Sequence, residues 1–217
     1  MDPQKQITFQ TWDKLADIYW DKFSPLHIYN HSYDQFLKLL KNKKNPKILD
    51  LCCGPGNISF YLYLKRKDIE LTAVDVSPNM VSKAKEMVPG LKGIVSDIAN
   101  IDKIDIKFDG IICGFGLPYL SITEVEKCVT DCYHLLSKDG VLYLSFVEGE
   151  PEDSGMVTSS AGDRSLFYYH QLSTIYSCLH ESGFSEILQD TVPYPVEGKE
   201  DQDHIILIGR KLKKTSE

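Results

Sequence analysis

The sequence predicts an α/β fold: a parallel β-sheet with helices on both faces, preceded by a helical cap. Short apolar segments alternate with helix-length segments from residue 47 onward, and parallel neighbours in a sheet need connections of that length. The first five apolar segments are apolar along their whole length, as expected for strands that are covered on both faces. At 217 residues, 42% of them hydrophobic, the chain is predicted to form one domain.

The N-terminal segment is predicted to be helical. Residues 7–30 are rich in aromatic side chains and predict an amphipathic helix, followed by a loop at Pro25. A second helix is predicted to follow, because Ser32 and Gln35 have the spacing of a capping box.

The remaining chain is predicted to contain strands and helices in alternation. The strands are predicted at residues 47–53, 70–75, 93–97, 108–115, 141–146, 187–192 and 204–211. The helices between them are predicted at residues 57–65, 78–88, 123–136 and 170–182. Ser77 before Pro78 indicates a helix start, and Gly183 indicates a helix end. One polar stretch, residues 148–165, is longer and more irregular than an ordinary connection, which predicts a lid or a substrate loop.

Charge and composition restrict the class of partner. The net charge is −7, which argues against nucleic acid, because neutralising phosphates requires a basic surface. The basic cluster of Arg210, Lys211, Lys213 and Lys214 is interpreted as a solvated tail. The N-terminus has no signal-peptide pattern, and no apolar run is long enough for a membrane span. We therefore expect a soluble, cytoplasmic protein.

The six cysteines raise the question of a thiol site. They stand at positions 52, 53, 113, 128, 132 and 178. None forms a C-x-x-C pair, and no histidine lies at zinc-ligand spacing from a cysteine pair. We expect buried, free cysteines, with no metal and no disulfide framework.

Acidic residues at the ends of successive strands indicate a nucleotide-type ligand. The first strand reaches Asp50 and is followed by a turn with Gly54 and Gly56. In an open parallel sheet, ligands bind outside the carboxyl ends of the strands. Asp75 ends the second strand at the spacing from which a carboxylate binds a ribose diol. Asp97 ends the third strand, within reach of the amino group of a base.

The same acids discriminate among nucleotides. No glycine stands three residues after Gly56, so the dinucleotide fingerprint that binds pyrophosphate is incomplete. Carboxylates repel phosphates but suit a ligand with an ammonium, a sulfonium and a ribose. S-adenosylmethionine has these groups and no phosphate, so it is the predicted cofactor.

A series of motifs resembles class I S-adenosylmethionine-dependent methyltransferases. The motifs are ILDLCCGPGN, TAVDVSPNMV, VSDI, FDGIICGFGLPYL and LLSKDGVLYLSF, in this order. The resemblance implies a Rossmann-like, doubly wound sheet of seven strands with the last antiparallel. It also implies a single methyltransferase domain over 1–217, which divides into a helical cap at 1–45, a cofactor-binding core at 46–147, a possible lid or substrate loop at 148–168, a closing helix with strands at 169–211 and a tail at 212–217.

The resemblance implies that the methionine part of the cofactor lies at the first strand. Asp50 and the turn from Cys52 through Gly54 to Gly56 would surround it. The family usually has glycine where Cys52 stands, and threonine or serine where Pro55 stands. The Cβ of Cys52 would narrow the approach to the carboxylate of the cofactor.

The nucleoside part would lie against the next two strand ends. The resemblance places Asp75 on the ribose, Val76 and Met80 beside the adenine, and Asp97 with Ile98 at its amino edge.

The methyl group to be transferred would lie beside Cys113 and Gly114, and Tyr19 matches the aromatic residue that closes over the cofactor in relatives. The cysteine pair and GFGL at 114–117 are similar to quinone C-methyltransferases. In that subfamily Arg-Asn would follow, whereas this chain has Pro118 and Tyr119.

Methyl transfer from a sulfonium needs little acid–base catalysis, because the leaving thioether takes no proton. Catalytic residues are therefore not assigned, and the candidates are Tyr29, Tyr119 and His170. The predicted function is transfer of a methyl group to a small-molecule acceptor, with S-adenosylhomocysteine as the product. A non-enzymatic cofactor-binding module and a nicotinamide-dependent oxidoreductase stay open as alternatives, as does the choice between a monomer and a homodimer.

Overall fold

A computed structural model describes residues 2–159, 161–196, 198 and 200–212. Seven strands form the main sheet: β1 Lys47–Leu51, β2 Glu70–Asp75, β3 Lys92–Val95, β4 Phe108–Gly114, β5 Leu136–Val147, β8 Ser185–Tyr194 and β9 Gln202–Arg210. Two further strands, β6 Gly155–Thr158 and β7 Arg164–Phe167, form a separate hairpin. The helices are α1 Pro3–Lys14, α2 Ala16–Phe23, α3 Asn30–Leu39, α4 Asn57–Lys65, α5 Pro78–Met87, α6 Ile122–Leu135 and α7 Leu172–Ser182.

The strand order of the main sheet is β3-β2-β1-β4-β5-β9-β8. The first five strands in sequence are parallel to one another, and β9 is antiparallel to both of its neighbours. The predicted seven-stranded sheet with an antiparallel last strand is therefore confirmed. Since the order reverses between β1 and β4, the carboxyl ends of these two strands are adjacent at the point where such folds bind ligands.

The sheet is buried between two layers of helices. Leu49 and Leu51 of β1 pack in one core with α6 and α7, whereas Ile48 packs in the other with α3, α4 and α5. This alternation follows from the two-residue period of a strand. The prediction of helices on both faces is confirmed.

The polar stretch after β5 is more ordered than its sequence suggested. Strands β6 and β7 form an antiparallel hairpin, whereas the sequence predicted an irregular loop over 148–165. Helix α1 holds this hairpin in place: the Leu166 N–H donates to Thr8 Oγ1 at 2.8 Å, and Thr11 Oγ1 donates to the Arg164 carbonyl at 2.8 Å. Four-residue strands give a weak sequence signal, and these gain their support from a distant segment.

The predicted capping box at Ser32 and Gln35 is wrong. Helix α3 begins at Asn30, and the buried Ser32 hydroxyl inside it donates to the Tyr29 carbonyl. A capping box is present instead at α6, between Ser121 and Glu124. The side chain of Ser77 accepts from the Met80 N–H at the start of α5, as predicted.

Residues 213–217, with Lys213 and Lys214 of the predicted basic tail, lie outside the described residues. In the part that the structure describes, every helix is too short or too polar to cross a bilayer.

Candidate functional site

The turn after β1 depends on two glycines with positive φ. Gly54 has a φ of 52° and Gly56 a φ of 91°. A Cβ at Gly56 would lie 2.9 Å from Cα and Cβ of Ala84, so only glycine lets the turn pack directly on α5. The N–H of Cys53, in turn, donates to the carbonyl of Val74 in β2. The turn is therefore fixed against β2 and α5.

Asp75 connects the ends of β1 and β2. Its Oδ2 accepts from the N–H of Gly54 and its Oδ1 from the N–H of Ser77, both at 2.9 Å. Burial raises the pKa of Asp75, and these backbone hydrogen bonds oppose that rise. The carboxyl group thus lies between the glycine turn and the start of α5.

Asp50 is almost completely buried near the end of β1, with an exposed fraction of 1%. Its Oδ2 accepts from the hydroxyl of Ser59 at 2.6 Å, whereas Oδ1 has no hydrogen-bond partner among the residues that the structure describes. Burial raises the pKa of Asp50 to about 7, and the Ser59 hydrogen bond only partly opposes this. An acceptor atom without a donor in a buried position is costly unless a ligand supplies the donor.

Three buried donors in the described part of the chain also lack a hydrogen-bond partner: Asn57 Nδ2 at the start of α4, Trp12 Nε1 in α1 and Arg210 Nε at the end of β9. Asn57 directly follows the glycine turn, and the Trp12 ring contacts Tyr119. A carboxylate oxygen suits an ammonium, and N–H donors suit a carboxylate. The residues present therefore fit a ligand with an α-amino acid group, such as the methionine part of S-adenosylmethionine.

The end of β3 contributes less to the site. Asp97 Oδ1 accepts from the N–H of Ala99 and caps a short 3-10 helix, Ile98–Lys103, in which Ile98 is buried. Met80 is buried and Val76 is partly exposed, next to Asp75. The residues predicted to bind the adenine thus lie next to one another along the edge of the sheet. Oδ1 of Asp97 forms the cap, and no role is assigned to its Oδ2.

The backbone of Cys52 has a φ of 52°, a value that glycine adopts more readily than other residues. A Cβ at Gly116 would lie 2.9 Å from Sγ of Cys52 and 2.6 Å from Sγ of Cys113, so both thiols border this glycine. Gly114, beside them, closely approaches Ile58. The Cys52 thiol thus packs toward the end of β4, and the predicted effect of its Cβ on the cofactor carboxylate stays a prediction.

All six cysteines are free, and no group of three or more potential ligands in the described part of the chain could hold a metal ion. Burial raises the pKa of Cys53, and also that of Cys178. A buried, protonated thiol is a poor nucleophile and a poor ligand.

Helices α1 and α2 cover the site. The ring of Trp12 makes edge contacts with Tyr19 and Tyr119, each at a centroid distance of 5.6 Å. Burial raises the pKa of Tyr19 to about 12, and the charges of Tyr194 and Asp75 contribute to the shift. The place of Tyr19 over the cofactor stays a prediction.

Asp13 attaches this cover to α5. Its Oδ1 accepts from the hydroxyl of Ser77 at 2.6 Å and from the N–H of Asn79 at 3.1 Å. Its Oδ2 accepts from Asn79 Nδ2 at 3.0 Å. Ser77 directly follows Asp75 and Val76, and Asn79 lies two residues further on. Asp13 therefore attaches α1 at the edge of the site.

The three catalytic candidates occupy different places. The ring of His170 is buried and hydrogen-bonds the Leu117 carbonyl through Nε2 at 3.1 Å, so it connects two segments of backbone. The ring of Tyr119 contacts the ring of Trp12 in α1. Tyr29 lies in a second aromatic group, where its hydroxyl is 2.6 Å from Nδ1 of His204.

Sequence reasoning missed His204, Tyr194, Trp12 and Asp13 as site residues. A signal for His204 was available. Because β9 is antiparallel, its first residues lie at the same edge as the carboxyl ends of the other strands, and His204 is opposite Val147 at the end of β5. The hydrogen bonds of Asp13 give no such signal, because they depend on how α1 docks.

Residues 48–140 match a family model described as a methyltransferase domain. This range contains Asp50, the glycine turn, Asp75, Asp97 and Cys113. The chain is 28% identical over 163 residues to YqeM of Bacillus subtilis, which carries a provisional methyltransferase name; the match covers 65% of each chain. It is 30% identical over 101 residues to a demethylmenaquinone methyltransferase of Thermotoga maritima, covering 46% of this chain and 43% of that protein. The chain thus spans less than two thirds of these relatives.

Solved structures show the same fold. A complex of DhpI with S-adenosylhomocysteine has a TM-score of 0.72 at 15% identity, covering 99% of this chain and 100% of that one. The N-methyltransferase NodS of Bradyrhizobium japonicum, also solved with S-adenosylhomocysteine, has a TM-score of 0.62 at 17% identity, covering 86% and 88%.

Proposed function

We propose that this chain is a class I S-adenosylmethionine-dependent methyltransferase, which transfers a methyl group from S-adenosylmethionine to a small-molecule acceptor. The observation that carries the proposal is the buried, unpartnered Oδ1 of Asp50, beside a glycine turn that Asp75 holds in place. The acidic edge of the sheet suits a ligand that brings an ammonium and a sulfonium. The match over residues 48–140 supports the same reading.

Each residue has a distinct part in this proposal. Asp50 accepts from the ammonium of the methionine part, and Asn57 Nδ2 donates to its carboxylate. Asp75 accepts from the ribose hydroxyls with the lone pairs that Gly54 and Ser77 leave free. When bound, S-adenosylmethionine supplies an electrophilic methyl group on a positively charged sulfur. The rings of Trp12, Tyr19 and Tyr119 exclude water from that region.

The two alternatives are not favoured. A nicotinamide dinucleotide would bring its pyrophosphate next to the carboxylates of Asp50 and Asp75, where the charges repel. A non-enzymatic module was suggested by Cys52 and Pro55, which depart from the family pattern. The Cys52 thiol packs toward Cys113 and Gly116, so this departure from the family pattern is accommodated at the end of β4.

Calorimetric titration tests the proposal. We expect S-adenosylmethionine and S-adenosylhomocysteine to bind with dissociation constants on the order of micromolar, whereas NAD gives no heat of binding. Asp75→Ala should weaken binding by about 1–3 kcal/mol, because hydrogen bonds to a charged group are lost. Glu70→Gln, at the opposite end of β2, is the matched control and should bind as the original chain does.

Asp75→Ala also removes two hydrogen bonds from the turn, so its stability is measured by urea unfolding. A folded variant with unchanged affinity would exclude Asp75 from the site. Binding of NAD alone would favour the oxidoreductase, and no heat with any of the three ligands, from a folded sample, would overturn the proposed function.

A further inference from the structure

A second group of rings lies beside the proposed cofactor site. It consists of Tyr29, Phe115, Tyr194 and His204, and we call it the ring cluster. The His204 ring is stacked on Tyr194 at a centroid distance of 4.7 Å and an interplanar angle of 12°. The Phe115 ring makes an edge contact with His204 at 4.8 Å and lies 5.2 Å from Tyr29. The cluster therefore offers flat aromatic surfaces around one imidazole.

The ring cluster is at the same edge of the sheet as the acids. Phe115 directly follows Gly114, at the end of β4, and its N–H donates to the Ser145 carbonyl in β5. Tyr194 ends β8, and His204 lies near the start of the antiparallel β9.

The ring cluster is uncharged at neutral pH. It contains no lysine, arginine, aspartate or glutamate. Burial lowers the pKa of His204 to about 4, against a smaller opposing effect of Asp203, and burial raises the pKa of Tyr29. An anionic acceptor would need a cation here, and an ammonium would find only ring faces and no carboxylate in the cluster to pair with it.

The imidazole is held through one nitrogen only. Nδ1 of His204 is hydrogen-bonded to the Tyr29 hydroxyl at 2.6 Å, with the two rings within 5° of coplanar. None of the hydrogen bonds formed within the described part of the chain uses Nε2. Tyr29 thus fixes the orientation of the ring, and Nε2 is the polar atom that this cluster offers to a ligand.

We propose that the ring cluster binds the methyl acceptor, that this acceptor is planar and uncharged, and that His204 Nε2 hydrogen-bonds its polar group. Tyr29 is a positioning residue that acts through His204. The inference rests on the proposed function, which it deepens by naming the acceptor class.

Three fragments with the same ring and different charge test the inference: benzyl alcohol, benzylammonium and benzoate. Each is titrated into the protein saturated with S-adenosylhomocysteine, while NMR follows the ring signals of the six histidines. We expect benzyl alcohol to bind about tenfold more tightly than either ion and to shift the His204 signal. Tighter binding of an ion, or binding that leaves the His204 signal in place, would overturn the inference.

Variants separate ligand contact from structural support. In His204→Asn the amide can still bond Tyr29, but Nε2 is lost, so fragment binding should fall while affinity for S-adenosylhomocysteine stays unchanged. Tyr29→Phe should weaken fragment binding less. His31→Asn, at a histidine paired with Asp190 on the surface, is the control and should change neither.

The two proposals fail in different ways. Fragments that shift His204 in a protein that binds no S-adenosylhomocysteine would overturn the proposed function and keep the ring cluster as a binding site. Binding of S-adenosylhomocysteine without any fragment effect at His204 would overturn only the assignment of the acceptor site.

Discussion

At the scale of single residues, Asp50 has the most unusual environment in the site. Burial raises its pKa to about 7, from 3.8 in the unfolded chain. Below pH 4 both states are protonated and the burial has no cost. As the pH rises from 4 through 7, the unfolded chain releases the proton first, so the folded state loses stability.

Asp50→Asn should therefore stabilise the ligand-free protein at pH 8, by on the order of 2–4 kcal/mol, and should have little effect at pH 4. Urea unfolding at both pH values measures this difference. Equal effects at pH 4 and pH 8 would show that Asp50 is not buried as a charged group.

The same carboxyl group predicts how cofactor binding depends on pH. An ammonium beside Asp50 favours its ionised form, so the affinity for S-adenosylmethionine should fall as the pH decreases below about 7, by up to tenfold per pH unit. Calorimetry from pH 8 to pH 5 tests this, and Asp50→Asn should bind more weakly with a flatter profile. A steep profile that persists in the variant would assign the dependence to another group.

His204 carries a pH dependence of the opposite sign. Its pKa is lowered to about 4, so the stability that it contributes is present above pH 6.5 and is lost as the pH falls toward 4. The urea unfolding of Asp50→Asn is therefore compared with that of His204→Asn at the same pH values. The two residues titrate over overlapping pH ranges and have opposite effects on the stability of the folded state.

Residue-level prediction succeeded where the chain carries a local signal. Gly56 and Ser77 have the conformations that the sequence implied, because a positive φ and a helix cap depend on neighbouring residues. The ring cluster could not be predicted in this way. Tyr29, Phe115, Tyr194 and His204 come from distant parts of the chain, and only the fold brings them together.

At the scale of elements, the strands and helices of the core were predictable because each repeats its apolar pattern over several residues. The hairpin of β6 and β7 was not, because its four-residue strands depend on hydrogen bonds to Thr8 and Thr11 of α1. The cap predicted at Ser32 is wrong because α3 begins two residues earlier, at Asn30, and the Ser32 hydroxyl donates to the Tyr29 carbonyl.

Helix α1 is predicted to control the exchange of the cofactor. Asp13→Ala removes three side-chain hydrogen bonds to Ser77 and Asn79, which should loosen the cover by about 1–3 kcal/mol. We expect S-adenosylhomocysteine to dissociate faster, which stopped-flow measurement with an excess of competing ligand can follow.

The control for this prediction is Asp17→Ala in α2. Its carboxylate is exposed and pairs with Lys83 of α5 at 3.1 Å, and exposed ion pairs contribute little. An equal dissociation rate in both variants and in the original chain would show that α1 does not limit the exchange.

At the scale of the whole molecule, the order of the strands explains the site. The reversal between β1 and β4 brings the glycine turn next to Cys113 and Gly114, and the antiparallel β9 adds His204 to the same edge. The fold could be predicted from the sequence, because the alternation of strands and helices and the motifs from Asp50 to Cys113 lie in one continuous series. The division of the domain into cap, core, loop and tail stays a prediction.

A crystal structure of the chain with S-adenosylhomocysteine tests the central claim most directly. We predict that the ammonium of the ligand lies within hydrogen-bond distance of Asp50 Oδ1, that the ribose hydroxyls contact Asp75, and that the sulfur points toward Gly114 and the ring cluster. A ligand bound elsewhere, or an Asp50 Oδ1 that stays without a donor in the occupied site, would contradict the account.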